Sequence, residues 1–363
     1  MKITSVQATI HRVPFSPLLT KKPHTRNIAF VRVETDQGIT GFGLASLNEC
    51  YALKEFINAE LGPSLIGKDP MESERLWHEA FWKFNQRSLS GVVSYGMSGV
   101  DIAIWDVKGK YLNQPVWRLL GGYSATVPAY ITFGLPEYNV EELVQAAKHF
   151  QSEGQDKLKM VVAIDNGRRV AEDAARVKAV REAVGDGVQL MMDANHLFDF
   201  NSAYELCRRV EPCNMTWFEE PVHSNDSLHL AALRQRTSIP IAAGQNEGHR
   251  FRHRELIVNG AVDYVQPNVC CVGGYTEAIK VAHMASAFNL KVANGGGWPH
   301  FNAQLMAAVP NGWRVEFHVP TWYTGMAIYK DPPKPVKGWV TLPERPGLGL
   351  EPNEEALKEY LLK

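Results

Sequence analysis

Residues 188–195 read VQLMMDAN, a run of strand length that stays apolar until it ends on a carboxylate, Asp193, and an amide, Asn195. The pattern returns twice. MTWFEEP (215–221) ends on Glu219 and Glu220, and IPIAAGQ (239–245) ends on Gln245. From Asp193 to Glu219 and from Glu219 to Gln245 the interval is the same, 26 residues. That is one strand-helix-loop unit, so three oxygen-bearing side chains are expected to end three consecutive strands at one height.

Five more short apolar runs on either side have the same character: VPAYITFG (127–134), KLKMVV (157–162), VDYVQPN (262–268), LKVANGG (290–296) and WRVEFHV (313–319). Amphipathic helical segments separate most of them, such as VEELVQAAKHFQSEG (140–154) and GGYTEAIKVAHMASAFN (273–289). Eight strands with helical crossovers in about 200 residues fit a parallel (β/α) barrel. An open doubly wound sheet is the other α/β solution, but no Gly-rich phosphate turn follows the first strand.

Upstream the periodicity differs. The first 50 residues alternate apolar and polar positions like a β-meander, with a turn at DQG and a polar, Pro-rich loop at PFSPLLTKKPHTR (14–26). Helical patterns then run to LLGG near residue 122. The expected organisation is an α+β unit over 1–122, a (β/α) barrel over 123–325, and a segment over 326–363 that folds back on the first unit.

The chain has 363 residues and 45% hydrophobic content, enough for two units and a large core. Lys+Arg number 38 against Asp+Glu 39, a net charge of −1, which speaks against a nucleic-acid partner. No apolar run approaches the roughly 20 residues that span a bilayer, and the N-terminus lacks the apolar block of a signal peptide. Five scattered cysteines, with no CxxC pair, suggest reduced thiols in a cytoplasmic protein.

On such a barrel, side chains at the C-terminal ends of strands share one cavity. Here they are Lys159, Asp193, Asn195, Glu219, Glu220, Gln245, Glu247, Asn268 and Glu316. Strand ends are polar in any protein because loops are polar. Oxygens converging from adjacent strands nevertheless suit a hard cation such as Mg²⁺. Lys157 and Lys159, two apart, leave one strand face, where mutual repulsion and burial lower the pKa of one of them. A lysine that can lose its proton near neutrality is a general base.

The motifs GVDIAIWDVKGK, KLK, MMDAN, WFEEP, AAGQNE, QPNVCCVGG and PGLGL, in this order and over nearly the whole chain, resemble the mandelate racemase branch of the enolase superfamily. The resemblance implies a capped (β/α)7β barrel that holds Mg²⁺ and abstracts the proton α to a substrate carboxylate, with Lys or His as base. Carried over by position, Lys159 is the base and Lys157 its tuning neighbour. Asp193 and Glu219 are metal ligands, and Glu316 hydrogen-bonds the substrate carboxylate. Lys21, Lys22, His24 and Arg26 lie in the loop that closes over substrate. Homo-oligomers are usual in the family.

Three positions depart from the family pattern. Gln245 stands where the third metal ligand is usually acidic, and Glu247, on the same strand face, is an alternative. The Asp of the Asp–His dyad is Asn268. Gly296 stands at the dyad His, with His300 about one helical turn later, either reaching the pocket or capping the next helix. His196 and Trp298 are further pocket candidates. Racemisation needs a competent base on each face of the α-carbon. A good lysine facing a compromised dyad suits one-sided abstraction and loss of a β-hydroxyl. The expected enzyme is therefore a hydro-lyase, a sugar-acid (aldonate or aldarate) dehydratase yielding a 2-keto-3-deoxy acid. A racemase or epimerase of a 2-hydroxy or amino acid, and an inactive binding barrel, are the alternatives.

Overall fold

The computed structural model describes residues 1–20, 23–45, 49–85 and 90–362. Strands β1 (Ile3–Phe15), β2 (His24–Thr35) and β3 (Thr40–Ala45) form an antiparallel meander in the order β1-β2-β3. The helix Val92–Tyr111 lies directly across β3. The approach is so close that a Cβ on Gly41 or Gly43 would strike the carbonyl oxygens of Ala103 and Gly99, so only glycine fits there.

Eight parallel strands follow: β4 (Thr126–Gly134), β5 (Lys157–Val161), β6 (Gln189–Asp193), β7 (Phe218–Glu219), β8 (Ile241–Ala243), β9 (Tyr264–Val265), β10 (Lys291–Ala293) and β11 (Gly312–His318). Pairing of β11 with β4, including Glu316↔Tyr130 and His318↔Thr132, closes the cylinder. A helix follows every strand. The first of them, Val140–Ser152, opens with a reciprocal capping box between Asn139 and Glu142. Tyr130, Met191, Trp217, Ala242 and Ala293 fill the interior, and Arg314 lies over Trp313 at 3.7 Å. This packed layer is the floor on which the polar strand ends stand. Among the described residues, no helix is long and apolar enough to cross a membrane.

The tail, expected over 326–363 to return to the cap, first adds β13 (Trp339–Thr341) antiparallel to β4 at the barrel's base. It then pairs β14 (Glu351–Pro352) with β12 (Tyr329–Lys330), and the helix Glu354–Tyr360 reaches the cap. There the Leu357 carbonyl lies 2.7 Å from the His11 ring, and the Leu362 N–H donates to Ile10.

Two of the recognised motifs are joints between these parts. Asp101, in GVDIAIWDVKGK, accepts from the backbone and hydroxyl of Thr276, at the start of a barrel helix. Asp106 accepts from the N–H groups of Phe42 at 2.9 Å and Leu348 at 2.8 Å, and from Lys110 at 2.7 Å. One buried carboxylate thus ties cap sheet, cap helix and PGLGL together. Asp106→Ala strips two N–H groups and one ammonium of their acceptor. A loss of about 3–5 kcal/mol of unfolding free energy is expected by denaturant titration.

Candidate active site at the mouth of the barrel

Asp193 and Glu219 are register partners on β6 and β7 and project from the same rim. Glu219 pairs with Ala242, so Gln245 lies three residues beyond that level, not at the same height. The turn at Gly244, whose φ is +120°, folds it back over the mouth. The loops that follow the strands carry other left-handed residues, Asn195, His196, Glu220 and Trp298, a backbone cost commonly found at functional sites.

At the centre is Lys159, which is fully buried. Its ammonium donates to Asp193 at 2.9 Å and to Glu219, and lies 2.8 Å from Glu316. Trp217 Nε1–H donates to the second oxygen of Glu219 at 3.0 Å. The Thr132 hydroxyl and the Gly297 N–H hold Glu316, and the Asn195 N–H holds Asp193. Burial alone would push Lys159 down, but the three carboxylates more than offset it and hold the ammonium well above its ordinary pKa. Burial also drives Glu219 up, against the pull of Lys159.

Lys157 takes no part in this. Alternation does give it the same strand face, but it is the first residue of β5. Its amine pairs with Asp156 at 2.6 Å, near Gly338 and Trp339 of the tail, at the opposite end of the barrel. The expectation that a neighbouring ammonium depresses Lys159 is therefore corrected. Negative charge, which raises the pKa, surrounds Lys159.

Three carboxyl groups converge on one ammonium in a buried site, an arrangement that favours an added dication. Among the described residues, no three His, Cys, Asp or Glu side chains stand ready-made to grip an ion, because the ammonium occupies the point where these carboxylates converge. Beside it, side chains converge on Gly295: a Cβ there would lie 2.9 Å from Gln245 Oε1, 2.9 Å from Gln266 Nε2 and 3.0 Å from Glu219 Oε1. Gln245 Oε1 is buried, with no hydrogen-bond partner among the described residues. Asp193, Glu219 and the Gln245 carbonyl are hard oxygen donors of the kind Mg²⁺ takes. Glu247 is turned away, held by Asn225 at 3.2 Å and Arg252 at 3.1 Å.

Across the cavity, Asn268 accepts from Asn302 at 3.0 Å, and its own Nδ2 would lie 2.6 Å from a Cβ on Gly296. The place of the dyad thus holds an amide against a bare glycine. His300 does not substitute, and it caps nothing. It is buried beside Gly325, with the Phe317 and Tyr329 rings each 6.4 Å away, outside the barrel. Among the described residues, neither ring nitrogen makes a hydrogen bond of good geometry. Burial pushes its pKa down to about 4, and the nearby Trp322 backbone opposes this.

That burial makes His300 an acid-sensitive element. The unfolded chain takes up a proton as pH falls through about 6.5, whereas the folded chain does so only near 4. Stability present above 6.5 is therefore lost between 6.5 and 4. His300→Leu is expected to remove about 2 kcal/mol of the loss seen between pH 8 and pH 5 in denaturant titrations. Activity at pH 8 should stay within a few-fold of wild type.

Of the remaining candidates, Arg26 reaches the mouth, partly buried, and its charge is felt at His318. His24 stands at the rim, 4.0 Å from Glu137. Lys21 and Lys22 lie outside the described residues. The Asn195 side chain is exposed. Trp298 is buried in the core, with no partner for its indole N–H. His196 is drawn aside to Glu220 at 2.7 Å, which raises its pKa although burial opposes this.

The residue missed from sequence is His318. It sits two positions beyond Glu316 on β11, in register with Thr132, which in turn pairs with Lys159. Glu316, Arg26, Lys159 and Asp193 all act on its charge, and burial pushes its pKa down to about 4. The signal was available: period-two alternation in VEFHV puts residues 316 and 318 on one face.

Residues 1–121 match the family described as mandelate racemase / muconate lactonizing enzyme, N-terminal domain, and residues 142–356 match enolase C-terminal domain-like. The chain is 31% identical to an arabinonate dehydratase of Saccharolobus solfataricus, over 94% of this chain and 92% of that one. It is 32% identical to a D-galactarolactone cycloisomerase of Agrobacterium fabrum, over 99% of each. A magnesium-bound racemase structure from Streptomyces coelicolor superposes with a TM-score of 0.90 at 29% identity, covering 99% of this chain and 100% of that one.

Proposed function

The chain belongs to the mandelate racemase and muconate lactonizing enzyme family, and from that membership we propose that it dehydrates an aldonate or aldarate to a 2-keto-3-deoxy acid. The observation that carries the reading is the asymmetry of the site. A buried lysine stands on one side, and an amide backed by a bare glycine stands where a second base would be. Racemisation needs both. Elimination needs only the first, plus help for the departing hydroxyl.

Asp193, Glu219 and the Gln245 carbonyl would hold Mg²⁺, which supplies positive charge beside the substrate carboxylate and so makes the α C–H more acidic. An ammonium gripped by three carboxylates cannot accept a proton, so Lys159 serves as base only when their charge is balanced by another cation. Lys159 then takes the α-proton. Glu316, fixed by Thr132 and Gly297, borders the place of the substrate carboxylate. Arg26 adds charge at the mouth. His318, one strand removed from Lys159 across β4, donates to the β-hydroxyl as its C–O bond breaks. Water leaves, and the resulting enol tautomerises to the 2-keto acid.

The test is incubation with Mg²⁺ and a panel of aldonates and aldarates, with detection of 2-keto acids. If no acid reacts and solvent deuterium enters no α-position, the proposal fails. The Agrobacterium relative is named for cycloisomerisation of a galactarolactone. Galactarolactone in the panel separates the two readings, since an isomerisation releases no water.

A further inference from the structure

The mechanism leaves unused the buried carboxylate of Glu220, next to Glu219. Alternation along a strand would turn Glu220 away from the mouth, but its left-handed backbone, φ 42°, keeps it at the rim beside Gln245. There it accepts from Gln245 Nε2 at 2.7 Å, while the His196 ring lies 2.7 Å from the same oxygen and Asn225 Nδ2 donates to the other at 3.1 Å. A carboxylate only accepts, so the end of the Gln245 amide that faces Glu220 must be its NH₂. The other end, Oε1, is then directed toward Gly295 and Glu219, where it is buried with no hydrogen-bond partner among the described residues.

We infer that Glu220 is the positioning residue that makes Gln245 a metal ligand: by accepting from the amide nitrogen it fixes the carbonyl toward the cation site. The missing third anion has moved off the ligand and onto the residue behind it. Gln245 offers a neutral oxygen, and the hydrogen bond to Glu220 polarises the amide so that this oxygen gains negative character. Asn225 and Arg252 meanwhile hold Glu247 out of the site. The inference rests on the Mg²⁺ reading above.

In Glu220→Gln a single carbonyl faces all the groups that now share a carboxylate, so Gln245 is free to turn its NH₂ toward the cation. In the double variant Glu220→Gln/Gln245→Glu, the new amide at position 220 donates to the new carboxylate at position 245, and donor and acceptor have traded places. The measurement is calorimetric titration of the purified protein with MgCl₂, without substrate, beside thermal unfolding of each variant. Glu220→Gln should bind Mg²⁺ about 10–100-fold more weakly, and the double variant should return to wild-type affinity or better. A folded Glu220→Gln that binds within twofold of wild type overturns the inference. Should Glu220→Gln not fold, the double variant decides: folding with wild-type affinity supports the inference, and binding far weaker than wild type overturns it. Absence of Mg²⁺ binding by the wild-type protein would instead overturn the metal reading itself.

Discussion

Lys159→Met is expected to lower turnover about 10⁴-fold, the upper end of what a general base supplies, and to abolish exchange of the substrate α-proton with solvent deuterium. The same change has a second consequence, read without substrate. Asp193, Glu219 and Glu316 lose the ammonium that separates them in a buried site. Breaking a buried charge cluster in this way costs about 3–5 kcal/mol, so the metal-free variant should unfold at markedly lower denaturant than wild type. Added Mg²⁺ should restore much of that loss and raise the melting temperature of the variant more than that of wild type, because ligand bound only by the folded state stabilises it. A variant that keeps activity within tenfold, or whose metal-free stability equals wild type, would remove Lys159 from the centre of the account.

His318→Asn is expected to separate the two halves of the reaction. Water loss should fall about 10²–10³-fold, within the range for one acid-base group. Exchange of the α-proton, which depends on Lys159, should continue at a rate much closer to wild type. The imidazole is the titratable group that β11 places directly beyond Glu316, and before substrate binds it is neutral at pH 7 because burial pushes its pKa to about 4. The substrate carboxylate and the departing hydroxide add the negative charge that raises it again. If exchange and dehydration fall together, His318 positions substrate and the proton comes from elsewhere.

Much of the site was legible because barrel geometry is periodic. Strand ends recur at near-constant spacing, so Asp193 and Glu219 could be placed side by side from the 26-residue interval alone. Gln245 shares the interval but not the height, since the short β8 and the turn at Gly244 break the register. Lys157 obeys alternation and still misses the site. A lysine side chain is long enough to reach an ion pair at either end of a strand, and Asp156 lies nearer than the cavity. His300 looked like a displaced dyad base because one helical turn separates it from Gly296, yet the start of its helix faces outward.

Local pattern was enough for the fold and for the chemistry-bearing strand ends. Burial imposes a period of two on strands and 3.6 on helices, and the order of those periods admits one barrel with one cap. The direction in which each polar side chain turns emerged only once the chain was folded. That choice depends on partners distant in the chain, such as Glu220 for Gln245 and the tail beneath Lys157, and on left-handed backbone at single residues. No local pattern encodes either, since the free energy of a buried polar group is set by whatever stands across from it.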